Sequence, residues 1–236
     1  GSNQDAYWIG GKHTLPRWCR ASAIVLDGVG GLPHGEEASA RAAEYYSEIL
    51  RSRYYKDLVR PEPTILTELF NVLHTKLLID GETEPNLRGM ATTATSALFI
   101  KSKPIVWIAS IGDSPAYRLR DGCLEKLVEE DSLVADLVRQ GVLTPEEAKQ
   151  HPRRNVITQA LGLGDQVIAR IAVTDVQRGD IFLLCTDGLT NAASEEQIAA
   201  ILVGESPEEA CRSLISVANA QGGPDNITAV VIKDGS

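Results

Sequence analysis

Four aspartates of this chain occupy similar positions beside apolar runs. Asp27, Asp113 and Asp187 each follow such a run, whereas Asp225 precedes one, and glycine or another turn-forming residue flanks each of them. A carboxylate at the end of a buried strand is costly to desolvate unless a cation or hydrogen-bond donors compensate. Each aspartate alone would be interpreted as an ordinary turn residue. Taken together, the four predict one metal centre assembled from distant segments.

The glycine after Asp27 makes this segment suited to metal binding. Gly28 lets the backbone turn tightly, so that its carbonyl oxygen can point to the same place as the Asp27 carboxylate. Carboxylate and carbonyl oxygens are suitable ligands for Mg²⁺ or Mn²⁺. A carboxylate cluster with two such ions holds a water, lowers its pKa and directs it at phosphorus. Because carboxylates alone would repel a phosphate, the predicted chemistry is metal-dependent hydrolysis of a phosphate ester.

The charge of the chain disfavours one large class of partners. The 236 residues include 23 Lys and Arg against 32 Asp and Glu, a formal net charge of -9. This balance argues against a nucleic-acid-binding surface and, with it, against a two-metal nuclease. The length fits one large domain or two small ones, with a substantial core in either case.

Four widely separated cysteines bear on the setting of the protein. Their spacing contains neither a zinc motif nor a thioredoxin motif, and three of them lie on apolar faces that predict buried, reduced thiols. No apolar stretch is long enough to span a bilayer, and no signal peptide is visible. We therefore expect a cytoplasmic domain without membrane contact. Because Gly1-Ser2 resembles a cloning remnant, a membrane anchor elsewhere in the parent protein is compatible with the sequence. The cysteines are Cys19, Cys123, Cys185 and Cys211, and the last three are those on apolar faces.

Blocks of predicted strands alternate with blocks of predicted helices. The predicted strands span residues 20–27, 94–100, 105–111, 167–173, 180–185 and 227–233. The predicted helices begin near Glu36, after Pro63, and at capping boxes that open with Ser194 and Ser206. Asp121-Gly122 lies between two alternating runs and predicts a hairpin. Because regular βαβ alternation is absent, the pattern favours an α+β layered sandwich over a doubly wound parallel sheet.

Residues 132–161 interrupt the strand series, and we call them the flap. They are polar and predict two short helices around Gly141. The second helix opens with Thr144-Pro145-Glu146-Glu147, a capping box. The flap is therefore interpreted as an inserted subdomain.

The ordered set of short motifs resembles the metal-dependent protein phosphatases, the PPM or type 2C family. The motifs are Asn3-Gln4-Asp5, Asp27-Gly28-Val29-Gly30-Gly31, Met90-Ala91-Thr92-Thr93, Gly112-Asp113-Ser114, Thr186-Asp187-Gly188 and Asp225-Asn226. The flap resembles that of the bacterial members, with Thr144-Pro145-Glu146-Glu147-Ala148 and His151-Pro152-Arg153-Arg154-Asn155. Any one motif is weak, whereas the ordered set is specific and covers nearly the whole chain.

The resemblance implies a fold and a metal site. The implied fold is a single domain over residues 1–236, an α+β four-layer αββα sandwich with a central antiparallel β-sandwich, flanking helix pairs and a helical flap. Two Mn²⁺ or Mg²⁺ ions would lie at one end of it, and bacterial members bind a weaker third ion. The implied ligands are Asp27 bridging both ions, the Gly28 carbonyl on one of them, Asp187 and Asp225 on the first, Asp5 on the second through water, and Asp113 with Asp187 on the third.

The resemblance also implies a substrate, namely phosphoserine or phosphothreonine in a protein, attacked in line by metal-bound water without a covalent enzyme intermediate. Three positions depart from the family pattern. An arginine that clamps the phosphate would fall before Gly1, so the substrate-binding residues are unknown and weaker phosphate binding is expected without it. Leu32 replaces a histidine that is a candidate general acid, and His34 is either its substitute or a surface residue. The entry to the flap reads Glu130-Asp131-Ser132 instead of Asp-His-Ser, and the extra acid could alter third-metal affinity or peptide preference.

Two functions from different classes remain open. The first is a phosphoserine/phosphothreonine phosphatase with Asp27 as a catalytic residue and His34 as candidate general acid. Its expected partners are phosphorylated substrates of a Ser/Thr kinase, with no nucleic acid, and the expected state is a monomer. The second is a catalytically weak or inactive phosphatase-fold module that binds phosphoproteins in signalling. The departures at Leu32 and at the arginine favour the second function, whereas the intact aspartates favour the first.

Overall fold

A computed structural model describes residues 2–11, 13–59, 61–223 and 225–234. Gly1 of the predicted cloning remnant lies outside the described residues. The strands are β1 (Asp5–Gly10), β2 (Cys19–Asp27), β3 (Ala94–Ile100), β4 (Ile105–Ile111), β5 (Ala116–Arg120), β6 (Cys123–Lys126), β7 (Arg170–Asp175), β8 (Ile181–Cys185) and β9 (Ala229–Lys233). The helices are α1 (Gly35–Arg51), α2 (Arg53–Asp57), α3 (Ile65–Thr83), α4 (Leu133–Arg139), α5 (Pro145–Lys149), α6 (Asp187–Thr190), α7 (Glu195–Gly204) and α8 (Pro207–Ala220), with a 3-10 turn at Pro85–Leu87.

Two antiparallel sheets form the centre of the molecule. The first contains five strands in the order β1-β2-β3-β4-β7, and the second contains four in the order β6-β5-β8-β9. β3 and β4 have the bounds that their apolar, β-branched runs predict. Asp121 and Gly122 have φ values of 50° and 79°, the left-handed pair that a two-residue hairpin turn requires. The predicted hairpin between β5 and β6 is therefore confirmed.

Apolar clusters lie between the successive layers of the fold. Val25 and Ile108 of the first sheet meet Phe182 and Val230 of the second. The rings of Phe99 and Phe182 lie edge to face with centroids 5.1 Å apart. α1 and α3 cover the outer face of the first sheet, and α7 and α8 cover the outer face of the second. The predicted four-layer αββα sandwich is confirmed.

The flap lies between β6 and β7. Its two helices, α4 and α5, flank Gly141, which has a φ of 71°. Thr144 and Glu147 form the predicted capping box at the start of α5. Ser132 pairs with Ile157 in an isolated β-bridge, so the two ends of the flap lie side by side.

Two local predictions are wrong. Of the three thiols predicted to be buried, Cys185 is buried, Cys211 is half-buried and Cys123 is exposed. Cys123 is exposed because β6 is an edge strand of its sheet. The strand predicted over residues 167–173 is displaced towards the C-terminus, because β7 takes its register from β4, where Arg170 lies opposite Ser110. β1, α2 and α6 have no counterpart among the predicted elements. Among the described residues, no helix combines the length and the apolar character needed to cross a bilayer.

Candidate metal centre

The strand ends bring the predicted aspartates to one end of the sandwich. Asp5 at the start of β1 lies opposite Asp27 at the end of β2 in the antiparallel pair. Asp113 lies in the loop after β4, and Asp187 begins α6 directly beyond β8. Asp225 precedes β9, which pairs with β8. We call these five carboxylates the aspartate cluster.

Burial and mutual repulsion raise the pKa values of Asp5, Asp27, Asp113 and Asp187. Burial, followed by repulsion from Asp5, Asp187, Asp113 and Asp225, raises the pKa of Asp27 to about 9. Burial and the charges of Asp187 and Glu130 raise the pKa of Asp113 to about 7. Burial also raises the pKa values of Asp5 and Asp187. The charged form of each group is therefore destabilised unless a cation compensates.

Hydrogen bonds from neighbouring residues orient the side chains of Asp5 and Asp187. The Thr186 hydroxyl donates to Asp5 Oδ2 at 2.9 Å, and Asn191 Nδ2 donates to Asp187 Oδ2 at 2.9 Å. Asp5 Oδ1 is buried and has no hydrogen-bond partner among the described residues. An acceptor that is buried and unpaired is costly, and a cation or a cation-bound water would satisfy it.

Two threonines fix the backbone of Asp27. The Asp27 carbonyl accepts from the Thr92 hydroxyl at 2.9 Å and from Thr93 N at 2.8 Å. The Thr93 hydroxyl accepts from Asp27 N at 3.1 Å and lies 2.8 Å from the Ser114 hydroxyl. Thr93 thus connects the Asp27 segment to the Asp113 loop. The sequence signal for this role is the motif Met90-Ala91-Thr92-Thr93, to which residue-level reasoning assigns no function.

Close backbone approach explains the glycines beside two of the aspartates. A Cβ on Gly28 would lie 2.4 Å from the Gly35 carbonyl group at the start of α1. A Cβ on Gly188 would lie 2.0 Å from the Asn226 carbonyl oxygen. Asn226 also accepts from Gln4 N through its side-chain oxygen at 2.9 Å. Gly188 and Asn226 thereby bring the Asp187, Asp225 and Asp5 segments together.

The donor set fits hard divalent cations. Carboxylate oxygens and the nearby Gly28 carbonyl are the ligands that Mg²⁺ and Mn²⁺ prefer. Among the described residues, no three carboxylate, imidazole or thiol groups are arranged so that they could hold an ion by themselves. A centre at this position therefore needs carbonyl and water ligands as well, and Mg²⁺ usually keeps several waters. The unpaired Asp5 oxygen and the raised pKa values agree with this interpretation.

The candidate general acid directly precedes a glycine whose backbone contacts Gly28. His34 precedes α1 with a φ of 59°, in the left-handed region, and its side chain makes no helix-capping hydrogen bond. It adjoins Gly35, whose backbone abuts Gly28. His34 is half-buried.

The two acidic residues directly before the flap, Glu130 and Asp131, have different surroundings. Glu130 contributes to the raised pKa of Asp113 and lies within ion-pair distance of Lys126. Asp131 is fully buried and pairs with Arg170. Asp131, the extra acid of this segment, is therefore enclosed in the protein rather than directed at solvent.

A groove runs from the aspartate cluster to the flap. It has a volume of about 1090 Å³, and its lining includes Asp113 and Asp187 of the cluster. Arg139, Lys149 and Arg154 of the flap also line it. A groove of this size can hold an extended peptide segment beside the carboxylates.

A two-sheet sandwich with clustered aspartates at one end defines a metal-dependent phosphoester hydrolase. The sequence model described as protein phosphatase 2C matches residues 2–222. The chain belongs to the protein phosphatase 2C family and is a bacterial-type, metal-dependent protein serine/threonine phosphatase.

Individual relatives support this assignment. The chain is 35% identical to the serine/threonine phosphatase Stp of Listeria welshimeri over 211 residues, which are 89% of this chain and 83% of the relative. The crystal structure of Stp1 from Staphylococcus aureus superposes with a TM-score of 0.89 at 28% identity and covers 100% of this chain and 91% of that one. The catalytic domain of PstP in complex with two manganese ions has a TM-score of 0.79 at 32% identity, covering 98% and 90% of the two chains.

Proposed function

We propose that the aspartate cluster binds two Mn²⁺ or Mg²⁺ ions and that the protein uses them to hydrolyse phosphoserine and phosphothreonine in protein substrates. The observation that carries the proposal is the convergence of five aspartates at one end of the sandwich, where burial and then the charges of the other four raise the pKa of Asp27 to about 9. So costly an arrangement is expected where cations compensate it. The relative PstP has been crystallised with two manganese ions.

The position of each aspartate suggests its role. Asp27 is central and would contact both ions, with the Gly28 carbonyl on one of them. Asp187 and Asp225 would hold the first ion, and Asp5 would hold the second through water. Asp113 would hold a third ion with Asp187, with which it interacts electrostatically. When bound, the ions would supply a water of lowered pKa and neutralise the phosphate charge.

His34 is the proposed general acid for the leaving serine or threonine oxygen. A protonated imidazole beside the cluster could donate its proton as the phosphorus–oxygen bond breaks, which avoids release of an alkoxide. The support is its half-buried place next to Gly35 and Gly28. Leu32, two residues earlier, has an aliphatic side chain that cannot act as an acid.

The domain organisation, oligomeric state, partners and location of the protein are also proposals. We infer one domain over residues 1–236 with the flap at 132–161 as its subdomain, acting as a monomer on substrates of a Ser/Thr kinase and without membrane contact. The cytoplasm is the proposed location, because all four cysteines are free thiols and such thiols persist in reducing compartments. Size-exclusion chromatography with light scattering would test the monomer.

Phosphate release is the direct test of the function. The metal-free protein is assayed with a small aryl phosphate and a phosphothreonine peptide, before and after addition of manganese, beside Asp187→Ala. Asp57→Ala is the control, since Asp57 is an exposed aspartate of α2. We expect manganese-dependent release by the native protein and the control, and none by Asp187→Ala. Release that survives both chelation and Asp187→Ala would refute the proposal.

A non-catalytic phosphoprotein-binding module is the second candidate. The observation that favours it is Leu32 at the position of the usual histidine. Calorimetry with the phosphothreonine peptide separates the two candidates. Tight binding in the presence of manganese without phosphate release would support the binding module and exclude the phosphatase.

A further inference from the structure

Asp131 is a fully buried carboxylate between the flap and the Asp113 loop. Its Oδ1 accepts from Arg170 Nε at 2.8 Å, and its Oδ2 accepts from Gly112 N at 3.3 Å. The side chain of Arg170 is 36% exposed, whereas that of Asp131 is 1% exposed. The carboxylate therefore has little access to water and depends on these two donors.

The backbone of Asp131 adds two further connections. Asp131 N donates to the Gly112 carbonyl at 2.8 Å, and its own carbonyl accepts from Thr158 N at 2.7 Å. Thr158 lies near the end of the flap, whereas Asp131 lies directly before its start. Asp131 thus joins both ends of the flap to the residue that precedes Asp113.

Arg170 anchors this junction to the first sheet. It is the first residue of β7 and lies opposite Ser110 of β4, close to the end of that strand. A guanidinium group is planar and directional, so its bond to Asp131 restricts the orientation of the carboxylate. The flap ends, the Asp113 loop and the sheet therefore meet at one ion pair.

We propose that Asp131 and Arg170 are a positioning pair that couples the flap to the Asp113 loop and so sets how a protein substrate lies in the groove. Gly112 N donates to the Asp131 carboxylate and the Gly112 carbonyl accepts from Asp131 N, so displacement of the flap ends displaces Asp113. The effect on substrate placement rests on the proposed function, whereas the coupling of the flap to the Asp113 loop does not. Neither residue contacts the reacting atoms.

A matched pair elsewhere in the fold provides the control. Arg120 donates to Asp180 at 2.8 and 2.7 Å, and the side chain of Asp180 is also 1% exposed. Asp180 precedes β8, whereas Asp187 follows it, so the two aspartates lie at opposite ends of that strand. The comparison uses Asp131→Asn/Arg170→Gln against Asp180→Asn/Arg120→Gln. Each double variant removes both charges, so no unpaired buried charge remains to unfold the protein.

Hydrogen exchange of the metal-free protein tests the coupling without any activity. We expect exchange at residues 112–114 and throughout residues 132–161 to rise at least about tenfold in Asp131→Asn/Arg170→Gln, since local opening there loses its restraint. The control pair should leave both segments unchanged. Unchanged exchange in the flap and loop of the first variant, or an equal rise in the control, would overturn the proposal.

Steady-state kinetics then separates positioning from general damage. In Asp131→Asn/Arg170→Gln we expect KM for the phosphothreonine peptide to rise about tenfold, while KM for the small aryl phosphate stays within about twofold, since the aryl phosphate lacks the peptide chain that the flap would position. Arg170→Lys, which keeps the charge but not the planar geometry, should be intermediate. An equal change in both KM values would refute the role in substrate placement. If the native protein itself releases no phosphate, the proposed function fails and the exchange result still decides the coupling.

Discussion

Asp27 is the residue on which the other members of the aspartate cluster converge. Its pKa of about 9 reflects burial and four neighbouring carboxylates, which is a cost to the metal-free fold. Functional sites commonly retain such destabilising groups, because the property that weakens the fold is the one that binds the ligand. The residue therefore links stability to metal binding.

Asp27→Asn should stabilise the metal-free protein and abolish its response to manganese. Because Asn is neutral without a proton, whereas Asp27 must take one up on folding at neutral pH, the substitution should raise the melting temperature by at least about 2–4 °C, the shift expected for about 1 kcal/mol in a domain of this size. Thermal melts with chelator and with manganese provide the measurement, with Asp57→Asn as control. A lower melting temperature for metal-free Asp27→Asn would show that the carboxylate is already compensated within the protein.

The raised pKa values predict how stability depends on pH. The carboxyl pKa is raised from 3.8 in the unfolded reference to about 9 for Asp27 and to about 7 for Asp113. Between these limits the folded protein keeps protons that the unfolded chain has released, so the free energy of unfolding falls as pH rises. The contribution of Asp113 ends near pH 7 and that of Asp27 near pH 9.

Urea unfolding of the metal-free protein between about pH 6 and pH 9 tests this sign. The free energy of unfolding should decline less steeply in Asp27→Asn than in the native protein, by up to about 1.4 kcal/mol per pH unit. Parallel curves for the two proteins would mean that the folded protein does not keep Asp27 protonated in this range.

His34→Asn should separate substrates by their leaving groups. Asn tolerates the left-handed backbone of His34 but cannot donate a proton as an imidazolium does. We expect kcat for the phosphothreonine peptide to fall by about 100-fold or more, whereas kcat for the aryl phosphate, whose leaving group needs no proton, should change little. Equal losses for both substrates, or no loss, would remove His34 as the general acid.

At the scale of elements, short loops at strand ends carry the site. α6 is only four residues long and begins at Asp187 itself, so its position depends on contacts rather than on helical stability. The Gly188 backbone packs against the Asn226 carbonyl, and Thr186 N and Thr228 O bond at 3.1 Å. β8 and β9 therefore deliver Asp187 and Asp225 as one unit.

Gly188→Ala tests this dependence on close approach. Its Cβ would lie 2.0 Å from the Asn226 carbonyl oxygen, so the α6 segment must move. We expect a loss of about 1–3 kcal/mol in the free energy of unfolding and weaker manganese binding by calorimetry. Gly204→Ala in α7 is the control, since no atom lies within 4 Å of its added Cβ, and it should stabilise by about 0.5–1 kcal/mol. Similar effects of the two substitutions would contradict the packing argument.

At the scale of the whole molecule, the fold is predicted well from local patterns and the site less so. β3, β4 and the hairpin at Asp121-Gly122 follow from apolar runs and turn residues. The sequence predicts that the aspartates meet in one metal centre, but it does not show which contacts bring them together, because those depend on which strands pair. The register that places Asp5 opposite Asp27 is a property of the folded sheet, and residue-level reasoning cannot supply it.

Some roles become visible only in three dimensions. The sequence places Asp131 beside Glu130 but does not show that Asp131 is buried against Arg170. The apolar neighbours of Cys123 suggest that it is buried. It is exposed because β6 is an edge strand, which the sequence does not show. The Thr93 bridge between the Asp27 and Asp113 segments joins residues far apart in the chain. Long-range contacts, rather than local preferences, decide each of these cases.

The location of bound manganese tests the central claim most directly. The anomalous difference map of a crystal of this protein grown with manganese should show two strong peaks, both within coordinating distance of the Asp27 carboxylate. One peak should also contact Asp187 and Asp225, and the other should lie towards Asp5. Manganese bound elsewhere, with no ordered ion at Asp27, would contradict the account.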